Sequence, residues 1–380
     1  MAALSHLTVL DLSRVLAGPW ASQMLADLGA EVIKIERPGK DGKGGDDTRH
    51  WGPPWLKDDQ GRETSEAAYY LCANRNKRSV TVDFTRAEGQ AIVRRLAAGA
   101  DIVIENFKVG GLVRHGLDYA SLSALNPRLV YCSISGFGQT GPYAARPGFA
   151  TIAEVMSGLS AISGLPDGQP LLPPIALTDE VTGMAAAFAT MVALHSGVGQ
   201  VVDVSLLESL FQLMGPLISL YRLTGLEQER LGAGLPYSVP RGTYQCSDGK
   251  WVGLSTSSDS VAARVLRVLG VEGDPRFVTF AARMEHRSAL EAVMSDWCRA
   301  RPQAEVLRAF TDAQAAIGPV MTMADISTDP HYLAREAIVE LDGTPMQGLL
   351  AKLSATPGAL RWQGRAMGAD ERHIREKGWQ

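Results

Sequence analysis

The chain has 380 residues, and we expect two domains because one hydrophobic core seldom serves more than about 250–300 residues. Its composition, 46% hydrophobic and 21% charged, is typical of a globular protein in water. The formal net charge of −4 at pH 7 gives no sign of a nucleic-acid-binding surface, and no apolar run reaches the roughly 20 residues that span a bilayer, so we expect neither nucleic acid nor membrane as a partner.

The first third of the chain alternates strand and helix signals. Short apolar runs predict buried strands, the segment that ends at Gly29 predicts a helix, and the apolar spacing of Thr85–Ala98 predicts another. The predicted strands are Leu7–Leu12, Glu31–Glu36, Ser79–Phe84, Asp101–Phe107 and Leu129–Gly138. Strands separated by helices indicate βαβ units, so we predict an α/β fold with a mostly parallel sheet.

The alternation stops between Arg37 and Thr64, where the chain is rich in glycine and charge. A loop of this length is either a functional lid or a mobile connection. Trp51 and Trp55 within it favour a segment that folds over a site.

The second half of the chain changes character near residue 226. Two helices are predicted from Thr178 to about Gly225, split at residues 196–200. A β-hairpin follows at Arg241–Ser255, turning at residues 247–249. Further helices are predicted at Ser260–Leu269, Arg287–Arg299 and Gln303–Ala315. We therefore predict a large domain of residues 1–225 and 316–380, and a small α+β domain of residues 226–315.

The four cysteines, Cys72, Cys132, Cys246 and Cys298, have no CxxC spacing, and the seven histidines form no HxH or HExxH pattern. Neither a zinc site nor a disulfide framework is indicated, so we expect no bound metal. No signal peptide is visible at the start of the sequence. A reducing cytoplasm fits this cysteine usage.

Several polar side chains fall at the predicted carboxyl ends of strands, where an α/β sheet receives its ligands. Arg37 directly follows one strand and could meet a phosphate, although a solvated surface arginine is equally consistent. Asn106 and Phe107 end another strand, and Arg114 lies shortly after them. An amide, a ring and a cation could bind the base, the linker and the phosphates of a nucleotide-like ligand.

Asp179 is the sharpest catalytic candidate. The stretch "PPIALTDEVTGMAAAF" (173–188) places it where a helix begins, so helix capping by Thr178 or Asp179 is the ordinary interpretation. A helix N-terminus also favours an ionised carboxylate, and such a carboxylate in an apolar pocket can attack a carbonyl carbon. Gly183 weakens the helix by roughly 1 kcal/mol, and it would let another group approach the backbone.

These segments together resemble one family. "LDLSRVLAGPWASQMLADLGAEVIKIERP", "NKRSVTVDF", "DIVIENF", "GLDYASLSALNPRLVYCSISGFGQTGPY" and "TDEVTGMAAAFATMVALHSGVGQVVDVSLLES" are similar to the class III CoA-transferases, a family that also contains the α-methylacyl-CoA racemases. The resemblance covers nearly the whole chain and is strongest from Leu7 to about Glu208. It implies a Rossmann-like large domain, a small domain and an interlocked homodimer.

The resemblance also implies a chemistry and its residues. The family's catalytic aspartate falls on Asp179, which would attack an acyl-CoA thioester and give an acyl-aspartyl anhydride, followed by an aspartyl-CoA thioester. Coenzyme A would be the co-substrate and a small carboxylic or dicarboxylic acid the acceptor, with succinyl-CoA a plausible donor. The positions that would contact CoA are Val15, Leu16, Ala17, Arg37, Val82, Asn106, Phe107, Arg114 and Arg146.

Departures from the family pattern narrow the function. Racemases carry a histidine base where this chain has Phe149, and a phenylalanine transfers no proton, so a CoA-transferase is favoured over a racemase or epimerase. A CoA-binding protein without turnover is the third alternative. The stretch "LPYSVPRGTY" (235–244) lacks the glycine-rich loop of formyl-CoA transferases. For the second carboxylate of a dicarboxylic acceptor, the candidate cations are Arg49, His50 and Arg78.

Overall fold

The structure is a computed structural model that describes residues 1–39, 44–58 and 60–379. It contains two compact units, the first formed by Met1–Leu159, Pro173–Gly215 and Pro330–Gln380, the second by Ser160–Leu172 and Pro216–Asp329. The strands in chain order are β1 (Thr8–Asp11), β2 (Glu31–Glu36), β3 (Trp55–Lys57), β4 (Glu63–Ala67), β5 (Lys77–Thr81), β6 (Ile102–Glu105), β7 (Val130–Ser135), β8 (Gln200–Ser205), β9 (Gly242–Gln245), β10 (Trp251–Ser255), β11 (Ala316–Pro319), β12 (Ile338–Leu341) and β13 (Thr344–Gln347).

Within the described residues, 3-10 turns lie at Asp47–His50 and Val113–His115, and the remaining elements are α-helices. The α-helices in chain order are α1 (Ala17–Asp27), α2 (Ala68–Asn74), α3 (Ala87–Ala98), α4 (Tyr119–Ser123), α5 (Ala150–Met156), α6 (Leu159–Ile162), α7 (Leu177–Ser196), α8 (Leu206–Gln212), α9 (Leu217–Thr224), α10 (Asp259–Leu269), α11 (Phe280–Glu285), α12 (Arg287–Arg299), α13 (Gln303–Asp312), α14 (Met323–Thr328), α15 (Pro330–Ala334) and α16 (Glu371–Lys377).

Six parallel strands form the main sheet of the first unit. Their order is β5-β2-β1-β6-β7-β8, which is the Rossmann order 3-2-1-4-5-6 when the six strands are numbered along the chain. The chain reverses its direction of winding between β1 and β6, and ligands of such sheets bind at that switch point. The predicted α/β class with a mostly parallel sheet is confirmed.

Alternate residues of each strand enter two separate cores, one on each face of the sheet. Val9 of β1 packs with Ala21 of α1 and Ala186 of α7 in one core. Leu10, the next residue of β1, packs with Val93 of α3 in the other. The strands are therefore covered by helices on both faces, which explains their continuous apolar sequences.

The second unit has its own core around an antiparallel sheet of order β11-β10-β9. The predicted hairpin is present as β9 paired with β10. Val252 of β10, Leu266 of α10 and Phe310 of α13 are fully or almost fully buried there. The domain boundaries proposed from the sequence stay a prediction.

The segment after Gly199 differs from expectation. We predicted a helix from about residue 200, whereas Gln200–Ser205 forms β8, the edge strand beside β7. The alternation of Val202 and Val204 with Asp203 is a strand signal that the flanking helical pattern concealed. The helix α8 begins only after Ser205, whose hydroxyl accepts a hydrogen bond from the Glu208 N–H.

Helix α7 packs closely against α1. A Cβ at Gly183 would lie 2.7 Å from the Ala17 carbonyl oxygen and 3.0 Å from the Trp20 Cβ, so only glycine permits this distance between the helices. The group that approaches the Gly183 backbone is thus the first turn of α1. By length and composition α7 could cross a membrane, a test that core helices also pass, and 39% of its most apolar window is buried inside this structure.

Candidate active site

A cavity of about 560 Å³ opens at the carboxyl ends of β1, β6 and β7 in the first unit. Its position matches the switch point of the sheet, which lies between β1 and β6. The cavity brings together five of the predicted site residues with residues from the loop after β2 and from the start of α5. Its lining includes Arg14, Val15, Leu16, Ala17, Asp47, Trp51, Tyr69, Asn106, Phe149, Ala176 and Asp179.

The loop after β1 is held in a strained conformation. Val15 has a φ of 67°, in the left-handed region that β-branched residues rarely adopt. Its N–H donates to both carboxylate oxygens of Asp46, each at 3.2 Å. The Asn106 side-chain amide holds Arg14, the residue before Val15, through two hydrogen bonds. Its oxygen accepts from the Arg14 N–H at 2.9 Å, and its NH₂ donates to the Arg14 carbonyl at 2.7 Å. Strain of this kind persists only where the surroundings fix it.

A buried ion pair between Lys34 and Asp46 fixes the same loop. The Lys34 Nζ lies 2.9 Å from the Asp46 carboxylate and donates to the Ser13 carbonyl at 3.0 Å, and both charged side chains are almost completely buried. Burial alone would raise the pKa of Asp46, but Lys34 lowers it below its usual value. Asp46 is therefore a fixed anion that holds the Val15 N–H in place.

Asp179 lies in the first turn of α7, and the expected capping role is wrong. The helix begins at Leu177, its N-cap is Ala176, and no side chain in the described chain caps it. Burial, followed by the nearby carboxylates of Glu154 and Glu180, raises the pKa of Asp179 to about 6. At pH 7 the carboxylate is still mostly ionised, and a higher pKa makes it a better nucleophile than an ordinary aspartate.

Two helix N-termini point into the cavity. The first turn of any α-helix leaves N–H groups without intrahelical acceptors. Neither α1, whose N-cap is Leu16, nor α7 has a side-chain cap among the residues described here. The N–H groups at the start of α1 are therefore available to a partial negative charge that develops in the cavity beside Asp179.

The remaining predicted CoA positions lie outside the cavity lining. Arg37 pairs with Asp47 at 2.6 Å, and Val82 is buried just after β5. Phe107 follows Asn106 and lies under the Arg14 guanidinium, 5.2 Å from the ring centroid. Two further arginines are exposed: Arg114 donates to the neighbouring His115 ring, and Arg146 lies over the Tyr143 ring. Their predicted roles stay predictions.

The cations that we expected to receive an acceptor carboxylate are engaged elsewhere. Arg49 is buried and binds both carboxylate oxygens of Glu36, each at 2.7 Å. Arg78 pairs with Glu31 at 3.2 Å. His50 makes a hydrogen bond to the Gly44 carbonyl at 2.9 Å. None of the three lines the cavity around Asp179, as far as the described residues show.

The sequence analysis missed Arg14, Asp46 and Lys34. Arg14 adjoins the predicted Val15–Ala17 contact, and its exposure in the cavity could have been suspected from that neighbourhood. Asp46 and Lys34 gave no local signal, because their roles come from contacts between segments distant in sequence. Over residues 1–39, 44–58 and 60–379, no group of three or more His, Cys, Asp or Glu side chains is placed to hold a metal ion.

The expected lid is only partly described. Its residues Asp47 and Trp51 line the cavity, and Trp51 packs edge-to-face with Tyr69 at 5.4 Å between centroids. Residues 40–43 and 59 of the same loop lie outside the described part of the chain. The described portion forms one wall of the site.

Comparison with known proteins gives consistent matches along the chain. A family model described as CoA-transferase family III matches residues 4–371. A succinyl-CoA–D-citramalate CoA-transferase of Chloroflexus aurantiacus is 39% identical over 98% of this chain and 92% of that enzyme. A succinate–glutarate CoA-transferase of Agrobacterium fabrum is 40% identical over 95% of this chain and 91% of that enzyme. The crystal structure of a CAIB/BAIF family protein from Brucella suis matches with a TM-score of 0.87, at 37% identity over 99% of both chains.

Proposed function

Because the chain belongs to CoA-transferase family III and is an enzyme of that type, we propose that it transfers CoA from succinyl-CoA to a small dicarboxylic acid, with Asp179 as the nucleophile. The family predicted from the sequence is confirmed. The observation that carries the proposal is Asp179, a carboxylate with a raised pKa in a cavity at the switch point of the sheet. The relatives whose names contain citramalate, glutarate and malate support a dicarboxylic acceptor.

The first proposed step is attack by a carboxylate oxygen of Asp179 on the carbonyl carbon of the thioester. The tetrahedral oxyanion collapses, the C–S bond breaks, and CoA leaves as the thiolate, so that a mixed anhydride of the acyl group and Asp179 remains. The thiolate then attacks the Asp179 carbonyl carbon, which releases the donor acid as its carboxylate and leaves an aspartyl-CoA thioester. Each step exchanges one leaving group for one nucleophile, so no external acid, base or redox partner is required.

The second half of the reaction repeats this sequence in reverse. The acceptor carboxylate attacks the aspartyl-CoA thioester, and the thiolate then attacks the acyl carbon of the new anhydride. The new acyl-CoA forms and Asp179 is regenerated as a free carboxylate. The N–H groups of Leu16 and Ala17, at the start of α1, are suited to stabilise the oxyanions because the Asp46 and Asn106 contacts fix the loop that precedes them.

We assign CoA binding to the first loop and to the residues around Asn106. Val15, Leu16 and Ala17 line the cavity with Asn106, and Phe107 follows directly. Arg37, Val82, Arg114 and Arg146 remain proposed contacts for the more distant parts of CoA. Coenzyme A enters as a co-substrate, and the proposed chemistry requires no metal.

We also propose that the working enzyme is a cytoplasmic homodimer with interlocked chains. Phe188 and Val192 of α7 are 72% and 54% exposed, and Val155 of α5 is 51% exposed. Apolar side chains of this size on neighbouring helices are typical of a surface that another chain covers. Light scattering of the purified protein tests the association, and a monomer at micromolar concentration would contradict it.

Racemase activity lacks a proton-transfer group at the expected place. Phe149 lines the cavity at the start of α5, with 73% of its surface exposed, where a racemase would need a base. The distinguishing experiment incubates a 2-methylacyl-CoA in deuterated water. We expect no deuterium at the α-carbon, and its incorporation would revive the racemase alternative.

The direct test of transfer is a screen of carboxylic acids against succinyl-CoA, with new thioesters identified by mass spectrometry. We expect a dicarboxylic acid among the acceptors. The variant Asp179→Ala should lose exchange, whereas Asp312→Ala, which removes an exposed carboxylate at the end of α13, should retain it. Full exchange by Asp179→Ala would overturn the assignment of the nucleophile.

A further inference from the structure

We propose that Arg14 binds the second carboxylate of a dicarboxylic substrate, and so sets the preference of the enzyme for diacids over monoacids. This inference rests on the proposed function, because it names what recognises the end of the acid remote from Asp179. Arg14 and Asp179 line the same cavity. Of the described residues that line it, Arg14 is the one with a basic side chain.

Hydrogen bonds fix the Arg14 backbone, whereas its guanidinium has no close carboxylate partner among the described residues. Both backbone polar groups of Arg14 bond to the Asn106 amide. The guanidinium reaches Asp47 only at 4.0 Å, and 45% of the side chain is exposed. Arg37 holds the same aspartate at 2.6 Å, so Asp47 already has a closer partner. Arg14 thus keeps its planar set of donors for another carboxylate.

The Phe107 ring gives the guanidinium a defined position. The Arg14 Cζ lies 5.2 Å from the ring centroid, within the range of a cation–π contact. Such a contact restricts the side chain without using its N–H donors. The guanidinium is therefore partly ordered before a ligand arrives, which lowers the entropy lost on binding.

The place of Arg14 favours a substrate carboxylate over a CoA phosphate. The phosphates of CoA are separated from its sulfur by the whole pantetheine arm. The thioester must reach Asp179, so a cation that shares the cavity with Asp179 lies near the acyl end of the donor. A free diacid brings two negative charges into a cavity that already holds Asp47 and Asp179, and Arg14 offsets that charge.

The experiment compares Arg14→Met and Arg14→Lys with Arg372→Met, which removes an arginine whose side chain is 92% exposed on α16. Four constants are measured for each protein: the KM for glutarate with succinyl-CoA as donor, the inhibition constant of free CoA, and the dissociation constants of glutarate and of pentanoate by titration calorimetry. Calorimetry requires no turnover, so it tests the role of Arg14 even if transfer itself fails.

We expect Arg14→Met to raise the KM and the dissociation constant of glutarate at least about tenfold, in line with the loss of one charge-assisted contact. The inhibition constant of CoA and the binding of pentanoate should change less than twofold. Arg14→Lys should recover part of the affinity for glutarate, and Arg372→Met should behave as the wild type. Unchanged glutarate binding in Arg14→Met overturns the proposal. If the inhibition constant of CoA rises in that variant while glutarate binding is unchanged, Arg14 binds a phosphate of CoA instead. Failure of the wild type to transfer CoA to any diacid would instead contradict the proposed function.

Discussion

The raised pKa of Asp179 predicts that this residue lowers the stability of the folded protein. Burial and two nearby carboxylates raise its pKa from 3.8 to about 6. The folded state then holds the proton more tightly than the unfolded chain, so the ionised side chain costs stability above pH 6 and nothing below about pH 3.8. One pKa unit is worth about 1.4 kcal/mol, which gives an upper value of about 3 kcal/mol. Partial exposure of the side chain should leave about 2 kcal/mol.

The variant Asp179→Asn keeps the size of the side chain and removes its charge. We expect its free energy of unfolding at pH 8 to exceed that of the wild type by about 2 kcal/mol, while CoA transfer is lost. Urea unfolding at pH 8 and at pH 5 measures the difference, which should shrink at pH 5. Asp312→Asn, at an exposed position, serves as the control. Equal stabilities at pH 8, or a gain that does not depend on pH, would refute this account of Asp179.

Other predictions concern the same site. The proposed attack by the ionised Asp179 carboxylate predicts that kcat/KM falls below about pH 6 in a pH–rate profile, and a flat profile down to pH 5 would contradict the assignment. Asp46→Leu should lower the free energy of unfolding in urea by about 3–5 kcal/mol, because it removes the buried partner of Lys34. Adding Lys34→Met should restore only part of this stability, because Thr48 also loses its acceptor, and it should not restore kcat/KM, since the Val15 N–H loses its acceptor. If the double variant recovered both stability and kcat/KM, Asp46 would not position the loop after β1. Gly183→Ala should lower stability by about 2 kcal/mol despite better helix propensity, because its Cβ would lie 2.7 Å from an α1 carbonyl, and a stabilised variant in thermal unfolding would contradict that contact.

Local sequence patterns predicted the parallel sheet well. Glu31–Glu36 is a strand with the predicted bounds, and Arg287–Arg299 is a helix with the predicted bounds. The strand is a short, mostly apolar run, and the helix has apolar residues at helical spacing, from Leu290 through Val293, Met294 and Trp297. The strand Gln200–Ser205 was missed because it lies at the sheet edge, where only one strong alternation of valines distinguishes it from a helix.

The site was harder to predict from the sequence, because contacts between residues far apart in the sequence create it. Asp179 was proposed from its place near a helix start and from the family resemblance, and its catalytic role stays a prediction. Its expected capping role was wrong because the helix begins two residues earlier. The hydrogen bond from the Val15 N–H to Asp46 joins residues 31 positions apart, and the hydrogen bond from the Arg14 N–H to Asn106 joins residues 92 positions apart. Spacing along a chain carries no information about such pairs. The same limit explains why Arg49 and Arg78 were considered for the acceptor, although both are engaged in ion pairs.

The central claim is that Asp179 forms covalent intermediates with the acyl group and with CoA. The most direct measurement incubates the enzyme with succinyl-CoA and hydroxylamine and maps the modified residue by mass spectrometry. Hydroxylamine attacks an activated aspartyl carbonyl, so the account predicts a hydroxamate at Asp179 that requires succinyl-CoA. Turnover without any label at Asp179, or a label only at Glu154 or Glu180, would contradict it.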